Sequence, residues 1–159
     1  MTLIDKRFTR FLNDMKHLTI EEYFGIVNNN SHTKLKFNIK KEENNIILNT
    51  NFIRSYNVDI IELPKEINDL ISSYASEYVN INFNISHDTY YPFHSPVWSL
   101  LNISYNIKPL LNVKSYYEYI IKTHNDRYEK DWSPAICMEK DILEFIQKIN
   151  YFDYLFEYK

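Results

Sequence analysis

The chain has 159 residues, of which 45% are apolar and 16% aromatic, and its formal net charge is -3. This size and composition predict one folded domain over residues 1–159 and exclude a disordered chain. The slightly acidic balance excludes the basic surface of a nucleic-acid binder, and no apolar run approaches the ~20 residues of a membrane span.

The chain contains one cysteine, Cys137. A single thiol cannot form an internal disulfide, and no group of histidines and cysteines has the spacing of a zinc site. The N-terminal residues are charged and lack the apolar stretch of a signal peptide. We therefore expect a cytoplasmic protein without a metal or cofactor.

Glycine occurs only at Gly25, whereas asparagine, isoleucine, lysine and tyrosine are abundant. The codons of these abundant residues are rich in A and T, so the bias indicates an A/T-rich genome, such as that of a large DNA virus or a protist. Turns in this chain must therefore use asparagine and aspartate in place of glycine.

Residues 3–18 begin the chain with a predicted amphipathic helix. Phe8, Leu12 and Met15 recur at helical spacing, and Thr2 with Asp5 forms a variant of the capping box. Strands are predicted from alternating or short apolar patterns that follow along the chain. These strands span residues 23–27, 34–40, 46–52, 78–85 and 97–105, with a turn at Asn44 and Asn45.

Three further helices are predicted, over residues 64–76, 113–123 and 138–149, the last with the clearest apolar stripe. On the first of them, Ile67, Leu70 and Ile71 share one face. The order of the elements predicts a single α+β domain. Its four-stranded antiparallel meander is flanked by an N-terminal and a C-terminal helix.

Two short segments stand out: Tyr91-Pro92-Phe93-His94-Ser95-Pro96 and Asp131-Trp132-Ser133-Pro134-Ala135. Together with the basic first helix, which contains Lys6-Arg7-Phe8 and Leu12-Asn13-Asp14, they resemble the ubiquitin-conjugating-enzyme family in type and order. The resemblance covers residues 5–15 and 77–149. It implies a UBC-like fold that is truncated at the C-terminus and carries an insertion at residues 64–76.

The sequence departs from the family at the residues that perform the family's thioester chemistry. No cysteine lies between Tyr91 and Trp132, and the position eight residues before Trp132 is His124. The family's His-Pro-Asn triplet is replaced by Asn106-Ile107-Lys108, and residues 110–130 are longer than in the family and predict an extra helix. Thioester transfer requires a thiolate and an oxyanion donor. The resemblance is therefore to the family's inactive variants, and we expect no catalysis.

In active relatives, RING ligases contact the first helix and the two loops. Carried over by residue, the resemblance implies a protein-binding site formed by Lys6, Arg7, Arg10, Phe93, Ser133, Pro134 and Ala135. The expected partner is a RING ligase, a conjugating enzyme or ubiquitin, bound by a decoy or scaffold. A plainer interpretation competes with it, in which Phe93 and Trp132 are core aromatics and the basic residues form a solvated face.

Two other functional classes stay open. One is an unconventional conjugating enzyme that uses Cys137 near a helix N-terminus, although free cysteines are generally buried and inert. The other is a structural or interaction protein, for example in a viral particle, that reuses the fold without a ubiquitin role. His87, His94 and His124 are interpreted as polar loop residues rather than metal ligands. The aromatic residues at 151–158 are expected to cover the core, with a dimer surface as the alternative.

Overall fold

A computed structural model describes residues 2–15, 33–54, 62–74, 77–106 and 112–149. The strand predicted at residues 23–27 and the aromatic residues at 151–158 lie outside these ranges. The elements, in chain order, are α1 (Leu3–Met15), β1 (Thr33–Glu42), β2 (Asn45–Arg54), α2 (Lys65–Tyr74), β3 (Glu77–Ser86), β4 (Val97–Tyr105), α3 (Val113–Asp131) and α4 (Met138–Ile149).

The four strands form one antiparallel sheet in the order β1-β2-β3-β4. The expected α+β class and the four-stranded meander are thereby confirmed. None of the helices in the described ranges has both the length and the apolar character needed to cross a membrane.

The sheet has an apolar inner face because side chains alternate along each strand. On β2, Ile46, Leu48 and Phe52 are fully buried, and so are Ile81 and Phe83 on β3. Helices α1, α3 and α4 contribute the other side of this core. On the same face, the hydroxyl of Thr50 donates to the carbonyl oxygen of Ile81 at 2.9 Å, so the polar group is satisfied within the core.

The outer face of the sheet carries a row of four asparagines, one on each strand. Asn38, Asn49, Asn82 and Asn102 lie opposite one another in register. The carboxamide Nδ2 of Asn49 donates to Asn82 Oδ1 at 2.5 Å, and Asn82 Nδ2 donates to Asn102 Oδ1 at 2.6 Å. Because each carboxamide has both donors and acceptors, the row satisfies part of its own hydrogen-bonding capacity without charge.

Helix α1 is capped as the sequence predicts and is tied to the sheet through the same residue. Asp5 Oδ2 accepts from the Thr2 backbone N–H at 2.7 Å, and the Thr2 hydroxyl accepts from the Asp5 backbone N–H at 3.2 Å. The Lys41 ammonium on β1 lies 2.5 Å from Asp5 Oδ1. Hydrogen bonds from Lys41 and Thr2 hold the pKa of Asp5 well below its usual value.

The hairpin turn between β1 and β2 lies one residue earlier than predicted. Glu42 pairs with Asn45, so the turn is formed by Glu43 and Asn44, and Asn45 is already in β2. Glu43 has a φ of 52°, a left-handed conformation that non-glycine residues seldom adopt. The carbonyl oxygen of Asn44 accepts from the His87 backbone N–H at 3.0 Å, which ties this turn to the end of β3.

Two helices differ from their predicted bounds or orientation. Helix α3 continues to Asp131, eight residues beyond the predicted end at Thr123. In α2, the predicted apolar face is largely exposed, with Ile67 at 42% and Leu70 at 53%, while Asn68 is buried and donates to the Leu63 carbonyl. The apolar stripe of α2 therefore does not mark the side that faces the rest of the described chain.

Candidate protein-binding surface

The loop between β3 and β4 is a series of tight turns that separates two aromatic residues. The Asp88 carboxylate accepts from the Tyr90 backbone N–H at 2.9 Å, and the Tyr90 carbonyl accepts from the Phe93 N–H at 2.7 Å. The Tyr91–Pro92 peptide bond is cis. Tyr91 is buried in this loop, whereas Phe93 is 75% exposed.

The second loop begins where α3 ends, and Trp132 fixes it to the first. The Trp132 indole N–H donates to the Pro92 carbonyl oxygen at 2.8 Å, and its ring lies 6.3 Å from that of Tyr91. A turn follows, in which the Ser133 hydroxyl accepts from the Ala135 backbone N–H at 3.2 Å. This turn leaves Ser133, Pro134 and Ala135 exposed.

Helix α1 contacts the first loop and lines a groove together with the second. The Arg7 guanidinium lies 5.6 Å from the centre of the Tyr91 ring, a cation–π distance. A groove of about 260 Å³ separates α1 from the second loop. Its lining comprises Arg7, Arg10, Phe11, Pro134, Ala135, Cys137, Met138 and Glu139. Three segments that are far apart in sequence thus form one surface.

We refer to Arg7, Arg10, Phe93, Pro134 and Ala135 as the loop–helix surface. Lys6 is exposed on α1 beside it but does not line the groove, and Ser133 is exposed at the start of the second loop. The interpretation of Phe93 as a core aromatic is wrong, because the ring is exposed. For Trp132 that interpretation is right in part, since its ring packs against the core.

The electrostatics of the loop–helix surface are set by its arginines. Burial raises the pKa of the Tyr91 hydroxyl, and the nearby Arg7 opposes that rise only in part, so Tyr91 is neutral at physiological pH. The described part of the surface therefore presents guanidinium groups beside an exposed phenyl ring and a Pro-Ala turn. This combination suits a partner with both apolar and acidic side chains.

His124, at the position where the family's cysteine is expected, is not a loop residue but a fully buried residue of α3. Its Nε2 lies 2.7 Å from Asp141 Oδ1, and its Nδ1 lies 3.0 Å from the Lys148 Nζ. An ammonium group can only donate, so Nδ1 is the acceptor and the neutral imidazole donates from Nε2 to Asp141. Asp141 Oδ2 also accepts from the Trp98 indole N–H at 3.2 Å.

This buried network joins α3 to α4 and leaves no reaction centre at His124. The imidazole is enclosed by the rings of Trp98, Tyr128 and Phe145, whose centroids lie 5.3, 4.6 and 5.2 Å away. The sequence reasoning missed Asp141 as the partner of His124. A signal was present, because Asp141 lies three residues after Met138 and four before Phe145, on the apolar face of α4.

The structure also gives the positions of other residues that were considered for catalysis. Cys137 is exposed, contrary to what is usual for a free cysteine, and its Sγ accepts from the Lys140 backbone N–H at 3.4 Å at the start of α4. The Asn106 carboxamide oxygen accepts from the Tyr78 N–H at 2.8 Å and so extends the pairing of β3 with β4. Ile107 and Lys108 lie outside the described residues.

The histidines considered as metal ligands occupy different environments. His87 lies in the loop after β3, as predicted, but is buried there, whereas His94 is exposed and lies 2.7 Å from Asp88. Burial lowers the pKa of His87 to about 4. Within the described ranges, no three histidine, cysteine, aspartate or glutamate side chains converge as metal ligands.

Comparison of this chain with known protein families, curated proteins and solved structures finds no match. The resemblance to ubiquitin-conjugating enzymes therefore rests on the motifs in the sequence alone.

Proposed function

We propose that this protein is a non-catalytic, UBC-like binding module that engages a ubiquitin-pathway partner through the loop–helix surface. The partner is a RING ligase, a conjugating enzyme or ubiquitin, and the protein acts as a decoy or scaffold. The observation that carries the proposal is the convergence of α1 with the Phe93 loop and the Pro134 loop into one exposed surface.

The order of elements supports a UBC-like fold. A helix precedes a four-stranded antiparallel meander, and the two motif-bearing loops lie after β3 and before α4. The resemblance concerns the type and the order of the motifs along the chain, and their contact in space is a separate observation. Fold similarity alone does not establish function, and the proposal therefore depends on the surface itself.

The exposed Phe93 ring is the centre of the proposed interface. The ring is 75% exposed, and aromatic side chains contribute much of the binding energy in many interfaces. Arg7 and Arg10 line the groove from α1 and Glu139 lines it from α4, so the groove carries both signs of charge, and Arg7 favours an acidic group on the partner. A small apolar contact with a charged rim is typical of a specific, transient complex.

The environment of His124, which corresponds to the family's nucleophile in the resemblance, supports the proposed absence of catalysis. His124 is enclosed by aromatic rings and bonded to Asp141, so it cannot reach a thioester. Cys137 is the alternative nucleophile because it is exposed in the groove. In the scaffold reading this thiol instead supports the first turn of α4 by accepting the Lys140 N–H.

The binding test uses Phe93→Ala with Tyr90→Ala as the matched control. Tyr90 is a 65% exposed aromatic three residues away in the same loop. Against a panel of RING domains, conjugating enzymes and ubiquitin, we expect Phe93→Ala to weaken the observed complex by about tenfold or more, as for an interface hot spot. Tyr90→Ala should leave the affinity nearly unchanged, and unchanged affinity for Phe93→Ala would contradict the proposal.

A charging assay with an activating enzyme separates the three functional classes. We expect no thioester on the wild-type chain. A thioester that disappears in Cys137→Ser would establish the unconventional conjugating enzyme in place of the scaffold. Neither binding nor charging would leave a structural protein that reuses the fold.

A further inference from the structure

The two outer strands of the described sheet differ sharply in charge. β1 carries Lys34, Lys36, Lys40, Lys41 and Glu42, whereas the nine residues of β4 include no charged side chain. Lysines on an edge strand discourage pairing with another chain, and an uncharged edge lacks that protection. Of the two edges, β4 is therefore the one suited to accept a further strand.

One end of the β4 edge shows how its outward backbone groups can be satisfied. The Trp98 backbone N–H donates to Asn125 Oδ1 at 2.9 Å, and the Trp98 carbonyl accepts from Asn125 Nδ2 at 2.9 Å. The Asn125 carboxamide of α3 thus substitutes for one residue of a neighbouring strand. It also establishes that the Trp98 backbone points away from β3.

Backbone N–H and C=O groups alternate in direction along a strand. The orientation of Trp98 therefore determines which other backbone groups of β4 point away from β3. Leu100 has the same orientation as Trp98, and the irregular register beside Leu101 shifts the alternation by one residue. At the far end, the Asn106 N–H donates to the Tyr78 carbonyl of β3. The outward groups after the bulge are therefore those of Ile103 and Tyr105.

Helix α3 contacts the Trp98 end of this edge through Asn125. It crosses the inner face from Tyr117, which packs against Phe52 and Phe83, to His124, which packs against Trp98. Among the described residues, no strand pairs with β4 on the side away from β3. In the part of β4 beyond the Trp98–Asn125 hydrogen bonds, Leu101 and Tyr105 are 51% and 50% exposed.

We propose that the β4 edge, from Leu100 to Tyr105, is the interface through which two copies of this chain associate. The two β4 strands pair antiparallel about a twofold axis and form one eight-stranded sheet. A twofold contact brings each surface against itself, so an uncharged strand is self-compatible, whereas the lysines of β1 would repel their own copies. Because Asn125 already bonds the backbone of Trp98, the pairing between the two copies is limited to the residues after Trp98.

Hydrogen exchange of individual β4 amides provides the most direct test. The Asn102 and Ser104 amides face β3 and should be protected at every protein concentration. The Leu100, Ile103 and Tyr105 amides should gain protection as the concentration rises, because these outward N–H groups pair with the second copy in the proposed dimer. Protection of these three that does not change with concentration would overturn the proposal.

Sedimentation of charge variants provides the second test. We expect a monomer–dimer equilibrium for the wild type, and a dissociation constant at least about tenfold higher for the double variant Leu101→Lys/Tyr105→Lys, which places lysines across the twofold axis. The matched control is Val97→Lys/Tyr78→Lys. It adds the same charge at exposed strand positions outside the proposed interface from Leu100 to Tyr105 and should leave the equilibrium unchanged. A wild-type monomer at all concentrations, or a dimer that tolerates the first variant, would overturn the proposal.

Discussion

Two histidine–aspartate pairs in this protein have the same hydrogen-bond length and opposite environments. His124 Nε2 lies 2.7 Å from Asp141, with both side chains almost fully buried. His94 Nδ1 lies 2.7 Å from Asp88, with side chains 58% and 50% exposed. The first pair joins two helices in the core, and the second closes a turn at the surface.

The two carboxylates respond to these environments in opposite directions. The pKa of Asp141 is raised because burial penalises its charge more than the hydrogen bonds from His124 and Trp98 favour it. The pKa of Asp88 is lowered, chiefly by its hydrogen bond to His94. The same distance therefore corresponds to different interaction energies. Water screens the exposed pair, whereas the buried pair is shielded from water and has only protein groups as hydrogen-bond partners, among them Trp98 and Lys148.

The largest effect is expected from breaking the buried pair. Asp141→Ala leaves the His124 and Trp98 N–H donors without an acceptor inside the core, and should lower the free energy of unfolding by about 3–5 kcal/mol. Urea denaturation measures the change. The control is Asp126→Ala, an exposed aspartate of α3, which should stay within about 0.5 kcal/mol of wild type. A similar, small change in both variants would contradict a structural role for Asp141.

A third histidine, His87, sharpens the contrast because it is buried and neutral. Its pKa of about 4 in the folded state lies below the ordinary value of 6.5, so the unfolded chain binds more protons between these values. Stability from this residue is fully present above pH 6.5 and falls as the pH drops toward 4, by roughly 3 kcal/mol at most. Denaturation at several pH values measures this slope.

The variant His87→Phe removes this titration while keeping a ring at the site. We expect a flatter dependence of stability on pH between 6.5 and 4 than in wild type. His94→Phe, at the exposed histidine, should retain the wild-type slope. Equal slopes for wild type and His87→Phe would show that His87 does not control acid stability.

The smallest effect is expected from the exposed pair. Replacing His94 with Gln, or Asp88 with Asn, should change the free energy of unfolding by at most about 1 kcal/mol, and less at high salt. A double-mutant cycle in low and high salt isolates the coupling between the two side chains. A coupling as large as that of the buried pair, unaffected by salt, would contradict the environmental explanation.

The elements that the sequence predicted best are those in which apolar side chains recur at a regular spacing. The bounds of α4 agree with the predicted range because its apolar positions follow the helical period without interruption. The bounds of β4 also agree, although the irregular register beside Leu101 shifts its alternation by one residue. The end of α3 was missed because its buried stripe includes Tyr117, His124 and Tyr128, which do not register as apolar. The hairpin turn was misplaced because a left-handed glutamate gives no compositional signal.

The candidate site was predicted residue by residue, but its assembly was not. The motifs identified Phe93, Pro134 and Arg7 as members of one surface by resemblance. The contacts that hold the loops in place, such as the Trp132 bond to the Pro92 carbonyl, depend on the packing of α3 and have no local pattern. The buried partner of His124 was missed for the same reason, since helices α3 and α4 meet only in the folded chain.

The Trp132–Pro92 hydrogen bond also affects the thermodynamics of association. It joins the two loops before any partner arrives, and the stacking of Arg7 on Tyr91 adds α1 to the same unit. Ordering flexible segments is among the main costs of forming a complex. Here the loop–helix surface is preorganised, so the conformational entropy lost on binding falls mainly on exposed side chains such as Phe93, and a small contact area can give a specific complex.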